Sequence, residues 1–547
     1  MLRRDFVSAA LALSVDAVRG QLNMPGAGAR SVLDYGAKPD GRTLNTKSIQ
    51  RAIDDAFQSG GGTVHVPSGM FLTGRIDLKS RVTLYLDAGS TLLGSASLGD
   101  YADANGDMHQ RHLIFAMGAE DVTLAGPGRI DGQGPSFWEP SGRPPKPPDD
   151  QWADVASHSM KPKASGRPSP MLYFVNCNRL HIEDVQIENS PGWTLNTVNC
   201  DGVEIHGISI KNPTVGPNTD GIDITGCQNV VVSNCSIDTG DDAVCLKTVN
   251  PFGPEPRLVK NVLVTNCNLT TCCNGFKLGT ESEGGFENIT FSDSVVSNGE
   301  VDFQDRVISG VAIEVVDGGW IDGVKVSGIQ MQRARAPIFI RLGNRKQPYD
   351  NPQRGLRNVS IQDIQASEAL MPSSITGYPG MAVEEVTLSN VRANNVLACR
   401  PQWVGRAVPE KDSAYPEAWM FGMLPASGLY ARHVRGLHLN NLALDAAADE
   451  ARPTIILDDV TGARIAEFSS TPVVGQMPVV ELSGCQDVQI TNSAAPAGTG
   501  TFVAVNGSES AGIVLSGDDL SGARQAFALA SDVPPDAVTV SGNATAN

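Results

Sequence analysis

One pattern governs what this chain can fold into: apolar-x-apolar-x-x-apolar-x-apolar, repeated along much of its length. It reads Leu180/Ile182/Val185/Ile187, Val203/Ile205/Ile208/Ile210, Val230/Val232/Cys235/Ile237 and Val262/Val264/Cys267/Leu269. It continues as Val324/Val326/Ile329/Met331, Val359/Ile361/Ile364 and Val386/Leu388/Val391, with Leu437/Leu439/Leu442/Leu444 as a late copy. Alternation within each half is the period of a strand with one buried face, and the extra residue between halves marks a bend. Successive copies begin about 23 to 35 residues apart, with one longer interval read as a loop. A repeat of this length describes stacked coils, none of which can bury its apolar face alone. Leucine-rich repeats would need a Leu/Asn signature and a helix per repeat, and neither is present. The expected fold is all-β, a right-handed parallel β-helix (solenoid).

A solenoid must shield its open end. Asn45 to Phe57 suits that task as a short N-terminal capping helix. Asn45 and Thr46 would cap it, Ile49, Ala52, Ile53 and Ala56 would face the stack, and Gly60-Gly61-Gly62 would end it. Three stretches break the repeat: residues 139–170, rich in Pro and charge, then 343–356 and 397–428. Such insertions are surface loops that often wall a binding face. The expected layout is an export signal over 1–20, the groove-bearing helix over 30–395, a loop insertion over 396–428, and further irregular β coils with a C-terminal cap over 429–547.

The chain has 57 Gly, 34 Pro and only 5% aromatic residues, which suits many short strands and turns. A formal net charge of -18 argues against a general binder of nucleic acid or anionic membrane. Arg3-Arg4-Asp5-Phe6 before the apolar run Val7 to Val15 has the form of a Tat-like bacterial signal, so a periplasmic or secreted location is expected. No later segment has the roughly 18 apolar residues a membrane span needs. Cys177, Cys200, Cys227 and Cys485 each stand three residues before an apolar strand position, and Cys235 and Cys267 share a second register. Shared registers point to side chains stacked between coils rather than to a zinc site. Adjacent coils bring such thiols within disulfide reach, but free thiols are expected after export of a folded chain.

Two acidic clusters carry the chemistry. Asp220 lies in Asn218-Thr219-Asp220-Gly221, and Asp241-Asp242 follows Gly240. With one coil between them they become neighbours on successive turns. Carboxylates gathered on one wall, with different proton affinities, are what acid/base cleavage of a glycosidic bond requires. Taken singly, each would be a turn-capping Asp at a strand end. Asp223 alternates with Ile222 and Ile224, so it should face the same cleft.

Several strings together resemble glycoside hydrolase family 28, the polygalacturonase-like pectinases, over roughly residues 30–395 and as a divergent bacterial member. They are Asp34-Tyr35-Gly36-Ala37, the run Gly126 to Gly134 followed by Phe137-Trp138, Arg167-Pro168, Asn189-Ser190-Pro191-Gly192-Trp193, and the two acidic clusters. The resemblance implies an inverting hydrolase in which Asp241 is the general acid and Asp220 and Asp242 activate water. It further implies a plant cell-wall polysaccharide or oligosaccharide substrate and no cofactor or metal. Lys247 matches a lysine that follows the aspartate pair. Two departures bear on specificity. Asn274, in Cys273-Asn274-Gly275, replaces the family's histidine, and an amide cannot titrate. Ala312-Ile313-Glu314 stands where the family has an Arg-Ile-Lys strand for the substrate carboxylate, and Glu314 would repel a uronate. Lys277, Arg341 or Arg345 would then rebuild an anion site, or the sugar at the cleavage point is neutral. Trp193 is a candidate platform for a sugar ring.

The rival readings are a β-helix polysaccharide lyase, whose clustered carboxylates would hold Ca²⁺, and a non-catalytic carbohydrate-binding β-helix. No protein partner can be inferred.

Overall fold

A computed structural model describes residues 29–102, 111–142, 159–299, 307–346 and 351–545. The export signal expected over 1–20 lies outside these residues, as does the proline-rich core of the 139–170 insertion.

The chain forms an all-β, right-handed parallel β-helix in which most strands join one continuous sheet by parallel pairing between coils, while Trp138–Pro140 and Met160–Pro162 form a separate antiparallel pair. The predicted pattern sets its register. Leu180, Val203, Val230 and Val262 pair in succession, and Val324, Val359, Val386 and Leu437 continue the same inner row. Each such side chain is buried in one continuous core. Full burial of an aliphatic side chain contributes about 1.5–3 kcal/mol, so the rows hold the coils together.

The longer interval between Val262 and Val324 is not a loop. It contains a complete coil at Gly285–Ser297, with Ile289 seated between Val262 and Val324. The pattern hides this coil because Ser294 takes the third apolar place and satisfies the buried amide of Cys267 through its hydroxyl at 3.0 Å.

Left-handed backbone makes the bend between half-patterns, at Asp184, Asn234 and Asn266 (φ 63°, 58° and 51°), and recurs at the residue just before each pattern. Asn229, Asn261 and Asn288 have φ of 54°, 56° and 54°, a region Asn tolerates better than most residues. Each donates its amide to the residue one coil earlier: to Asp201 at 2.7 Å, Asn229 at 2.9 Å and Asn261 at 2.8 Å. The cysteines behave similarly. The amides of Cys177 and Cys200 donate to the sulfurs of Cys200 and Cys227, both at 3.3 Å, and none of the ten cysteines, all among the described residues, forms a disulfide.

The capping helix, α1 (Thr46–Gln58), buries Ile49, Ala52, Ile53 and Ala56 as expected. Its cap differs. The Asn45 side chain makes no capping hydrogen bond but accepts from the Lys38 amide at 2.7 Å, and Thr46 accepts from the Gly74 amide at 2.7 Å. Both side chains tie the helix to neighbouring turns. Beyond residue 429 the coils continue in parallel register, from Leu429–Ala446 through Ile455–Ala466 to Thr499–Asn506 and beyond. The apolar rhythm weakens there because buried Ser493, Ser510 and Asp518 occupy bend positions.

One face of the stack carries the acidic clusters. Its strands are β1 (Leu172–Val175), β2 (Leu195–Val198), β3 (Ile222–Thr225), β4 (Val244–Lys247), β5 (Asn274–Leu278), β6 (Ser309–Val315) and β7 (Ala336–Leu342).

Candidate active site

The two acidic clusters sit in the turns that enter β3 and β4, on successive coils. Backbone hydrogen bonds fix the stacking: Thr194 N–H to Asp220 O at 3.0 Å, Gly221 N–H to Asp242 O at 2.9 Å, and Ala243 N–H to Asn274 O at 2.9 Å. Gly221 is required by this contact, since a Cβ there would lie 2.4 Å from the Ala243 carbonyl oxygen. The turn carrying Asp241 is held by two hydroxyls, with Thr239 and Thr271 donating to the Asp241 carbonyl at 2.6 and 2.5 Å. Asp241 accepts from the Asp242 amide at 2.9 Å and lies 3.5 Å from Asn218 Nδ2.

Asp242 is the most heavily supported carboxylate. Its Oδ1 accepts from the backbone and side-chain nitrogens of Asn274 at 3.1 and 2.8 Å, and Lys277 Nζ lies 3.2 Å from its Oδ2. On the next row, Asp223, Cys245 and Lys277 pair across β3, β4 and β5. Lys247 Nζ lies 3.9 Å from Asp223, 3.4 Å from Glu281 and 5.0 Å above the Trp193 ring.

Asp220, Asp223, Asp241, Asp242 and Glu314 crowd around Lys247 and Lys277, and they cannot all ionise together. Burial raises the Asp220 carboxyl well above its ordinary range, and Asp241 and Asp223 push it further. Burial likewise raises Asp223, to about 8, against the pull of Lys247. Asp241 is raised by burial and by Asp242, with Lys277 acting against. Burial alone would lower Lys277, but Asp242, Tyr415, Glu314 and Glu417 outweigh it. The site thus retains protons on some carboxylates while both lysines stay charged.

The structure brings Asp220, Asp241, Asp242, Asp223, Asn274, Lys277, Lys247, Glu314 and Trp193 into one cluster, but in two layers. Asp241 and Trp193 are half-buried and reach the surface. Asp223, Asn274, Lys277 and Glu314 are covered, at 0–2% exposure, and Asp220, Asp242 and Lys247 nearly so, at 4–6%. Glu314 carries no hydrogen bond on either oxygen, and burial raises it well above the usual range. Arg341 corrects the expectation of an outward cation. It pairs with Glu314 in register but is fully buried, donating to the carbonyls of Gly377, Glu410 and Lys411 at 2.7, 3.0 and 3.0 Å. Two of these hydrogen bonds serve the 397–428 insertion, which packs against β7. Arg345 is bound through two nitrogens to Asp317, at 2.7 and 2.8 Å.

Sequence reasoning missed three contributors. Arg167 donates to the carbonyls of Pro191 and Pro217 and to Asn218, and its charge faces Asp220 and Asp241. Its signal was visible in Arg167-Pro168. From the 397–428 insertion, Glu417 approaches Lys277 to 3.6 Å, and the exposed ring of Tyr415 stands over Lys277 and Arg345. Neither carried a local signal. As for a metal, Asp241, Asp242 and Cys273 place ligand atoms within 4.8 Å of one another. A thiol among so few oxygens matches poorly the six to eight oxygens Ca²⁺ takes.

Residues 58–400 match the family described as Glycosyl hydrolases family 28, over most of the region whose motifs suggested it. A probable polygalacturonase of Vitis vinifera is 27% identical over 388 residues, spanning 66% of this chain and 73% of that protein. An endo-polygalacturonase of Pectobacterium carotovorum subsp. carotovorum is 27% identical over 371 residues, spanning 65% and 85%. The solved structure of a hyperthermoactive exopolygalacturonase from Thermotoga maritima shares the fold, with a TM-score of 0.54 at 24% identity, covering 68% of this chain and 88% of that one.

Proposed function

Because the chain belongs to glycosyl hydrolase family 28 and is a glycosidase, we propose that it hydrolyses a pectin-type plant polysaccharide, or oligosaccharides from it, with inversion. Asp241 protonates the glycosidic oxygen as the bond to the anomeric carbon breaks. Water attacks that carbon from the opposite face and gives its proton to the Asp220–Asp242 pair. The single observation that carries this reading is the stacking of Asp220, Asp241 and Asp242 on successive coils, joined by the hydrogen bond from Gly221 to Asp242. The upward shift of Asp241 supports it, since a general acid must hold its proton at working pH. An experiment on polygalacturonan, rhamnogalacturonan and their oligomers, with product anomers followed by NMR, tests it. Retained configuration, or unsaturated products from elimination, would overturn it.

A specific observation favours a neutral sugar at the cleavage point. Among the described residues, Lys247, Lys277 and Arg345 are each paired with carboxylates, and Arg341 is capped by carbonyls. A uronate carboxylate would meet no uncommitted cation among these four. Faster cleavage of rhamnogalacturonan than of polygalacturonan is the corresponding outcome. Action outside the cytoplasm, on extracellular polymer, belongs to the same proposal. Among the described residues no helix is long and apolar enough to cross a membrane.

A further inference from the structure

The family match ends at residue 400, yet a carboxylate from beyond it reaches the catalytic cluster. Glu417 is 5% exposed. Its Oε2 lies 3.4 Å from Asn274 Nδ2, and its Oε1 lies 3.6 Å from Lys277 Nζ. Those same two nitrogens support Asp242, at 2.8 and 3.2 Å. Asp242 and Glu417 therefore share one pair of donors, with Asp242 holding the shorter contacts. The charged and titratable groups facing Glu417 are Lys277, Asp242, Asp241, Glu314 and Tyr415.

We propose that Glu417 is a positioning residue for the catalytic carboxylates: its charge state decides how fully Asn274 and Lys277 serve Asp242, and how strongly Lys277 draws the proton from Asp241. This inference rests on the assignment of Asp241 as general acid. When Glu417 carries a proton, both donors turn to Asp242. Once it ionises, it offsets the Lys277 charge, and Asp241 then keeps its proton to higher pH. Burial raises Glu417 to about 7, with Lys277 opposing and Asp242 reinforcing, so this exchange falls near neutrality. Asn274 cannot titrate; the titrating group beside it arrives instead on a loop.

The test is the pH dependence of kcat/KM for Glu417→Gln, Glu417→Asp and Asp241→Asn on whichever of polygalacturonan and rhamnogalacturonan the wild type cleaves faster. Glu417→Gln should move the basic limb down by about one pH unit, so that the loss of activity grows from the acidic to the basic side. Glu417→Asp should restore part of the shift. A basic limb unmoved in Glu417→Gln, or an equal loss at every pH, would overturn the proposal. Activity retained in Asp241→Asn would instead sink the catalytic assignment. A second readout does not depend on turnover. In protein labelled with ¹³C-carboxyl glutamate, one resonance, absent from whichever Glu417 variant folds, should titrate near neutrality. It should titrate at lower pH in Asp242→Asn, and an unchanged midpoint there would refute the coupling.

Discussion

The catalytic proposal stands or falls on Asp241, whose half-exposed carboxyl shares its turn with covered Asp242. Asp241→Asn keeps the shape and removes the proton to be donated, so kcat should fall by about 10²–10⁴ with no fall in melting temperature. Steady-state release of reducing ends and thermal denaturation together check this. Gly221 makes a different demand. Adding a Cβ 2.4 Å from the Ala243 carbonyl oxygen forces β3 and β4 apart where the aspartates stack. Gly221→Ala should lower both stability and activity, with kcat falling more than KM rises, as read by denaturant unfolding and kinetics. These residues were legible because motif and contact are local in sequence. The burial of Asp223, Lys277 and Glu314 was not, because strand alternation reports only that a side chain leaves the core. It says nothing of a loop that covers it afterwards.

At the scale of elements, the 397–428 insertion is the piece whose role the sequence left open. Trp403, Met420, Phe421, Met423 and Leu424 form a second apolar cluster with the outer faces of Ala312, Phe339 and Tyr430. Arg452, stacked 5.2 Å from the Trp403 ring and ion-paired to Glu450 at 2.6 Å, closes its far side. Trp403→Ala should cost about 3–5 kcal/mol of loop anchoring and loosen Glu417 at the same time. A loss of activity accompanied by new proteolytic cleavage within 397–428 is the expected pair of observations. Tyr415 stands at the tip of the same element with its ring exposed. If it serves as a sugar platform, Tyr415→Ala raises KM severalfold and leaves kcat nearly unchanged. Unaltered kinetics would remove it from the substrate path.

Across the whole molecule, the buried carboxyls set how stability varies with pH. Asp220, Asp223, Asp241 and Glu314 hold protons more tightly when folded, Asp223 up to about 8. The native state then binds more protons than the unfolded chain above pH ~4, so stability falls as pH rises from there through the folded values. Lys247 and Lys277, also raised, add stability that is lost only at higher pH, in the same direction. The melting temperature should therefore be higher at pH 5 than at pH 8. Asp223→Asn, removing one such group, should flatten the slope, and calorimetry across that range decides. By itself the sequence determined the coil, its period and the inward rows, because alternation and bends are local and repeat through every turn. It also placed Asp220 and Asp241–Asp242 one coil apart. The tertiary structure alone brought Glu417 to Asn274 across 143 residues of chain and turned Arg341 from a predicted cleft cation into a buried brace. A loop folding back over a stack is set by its packing, and no local period records where it lands.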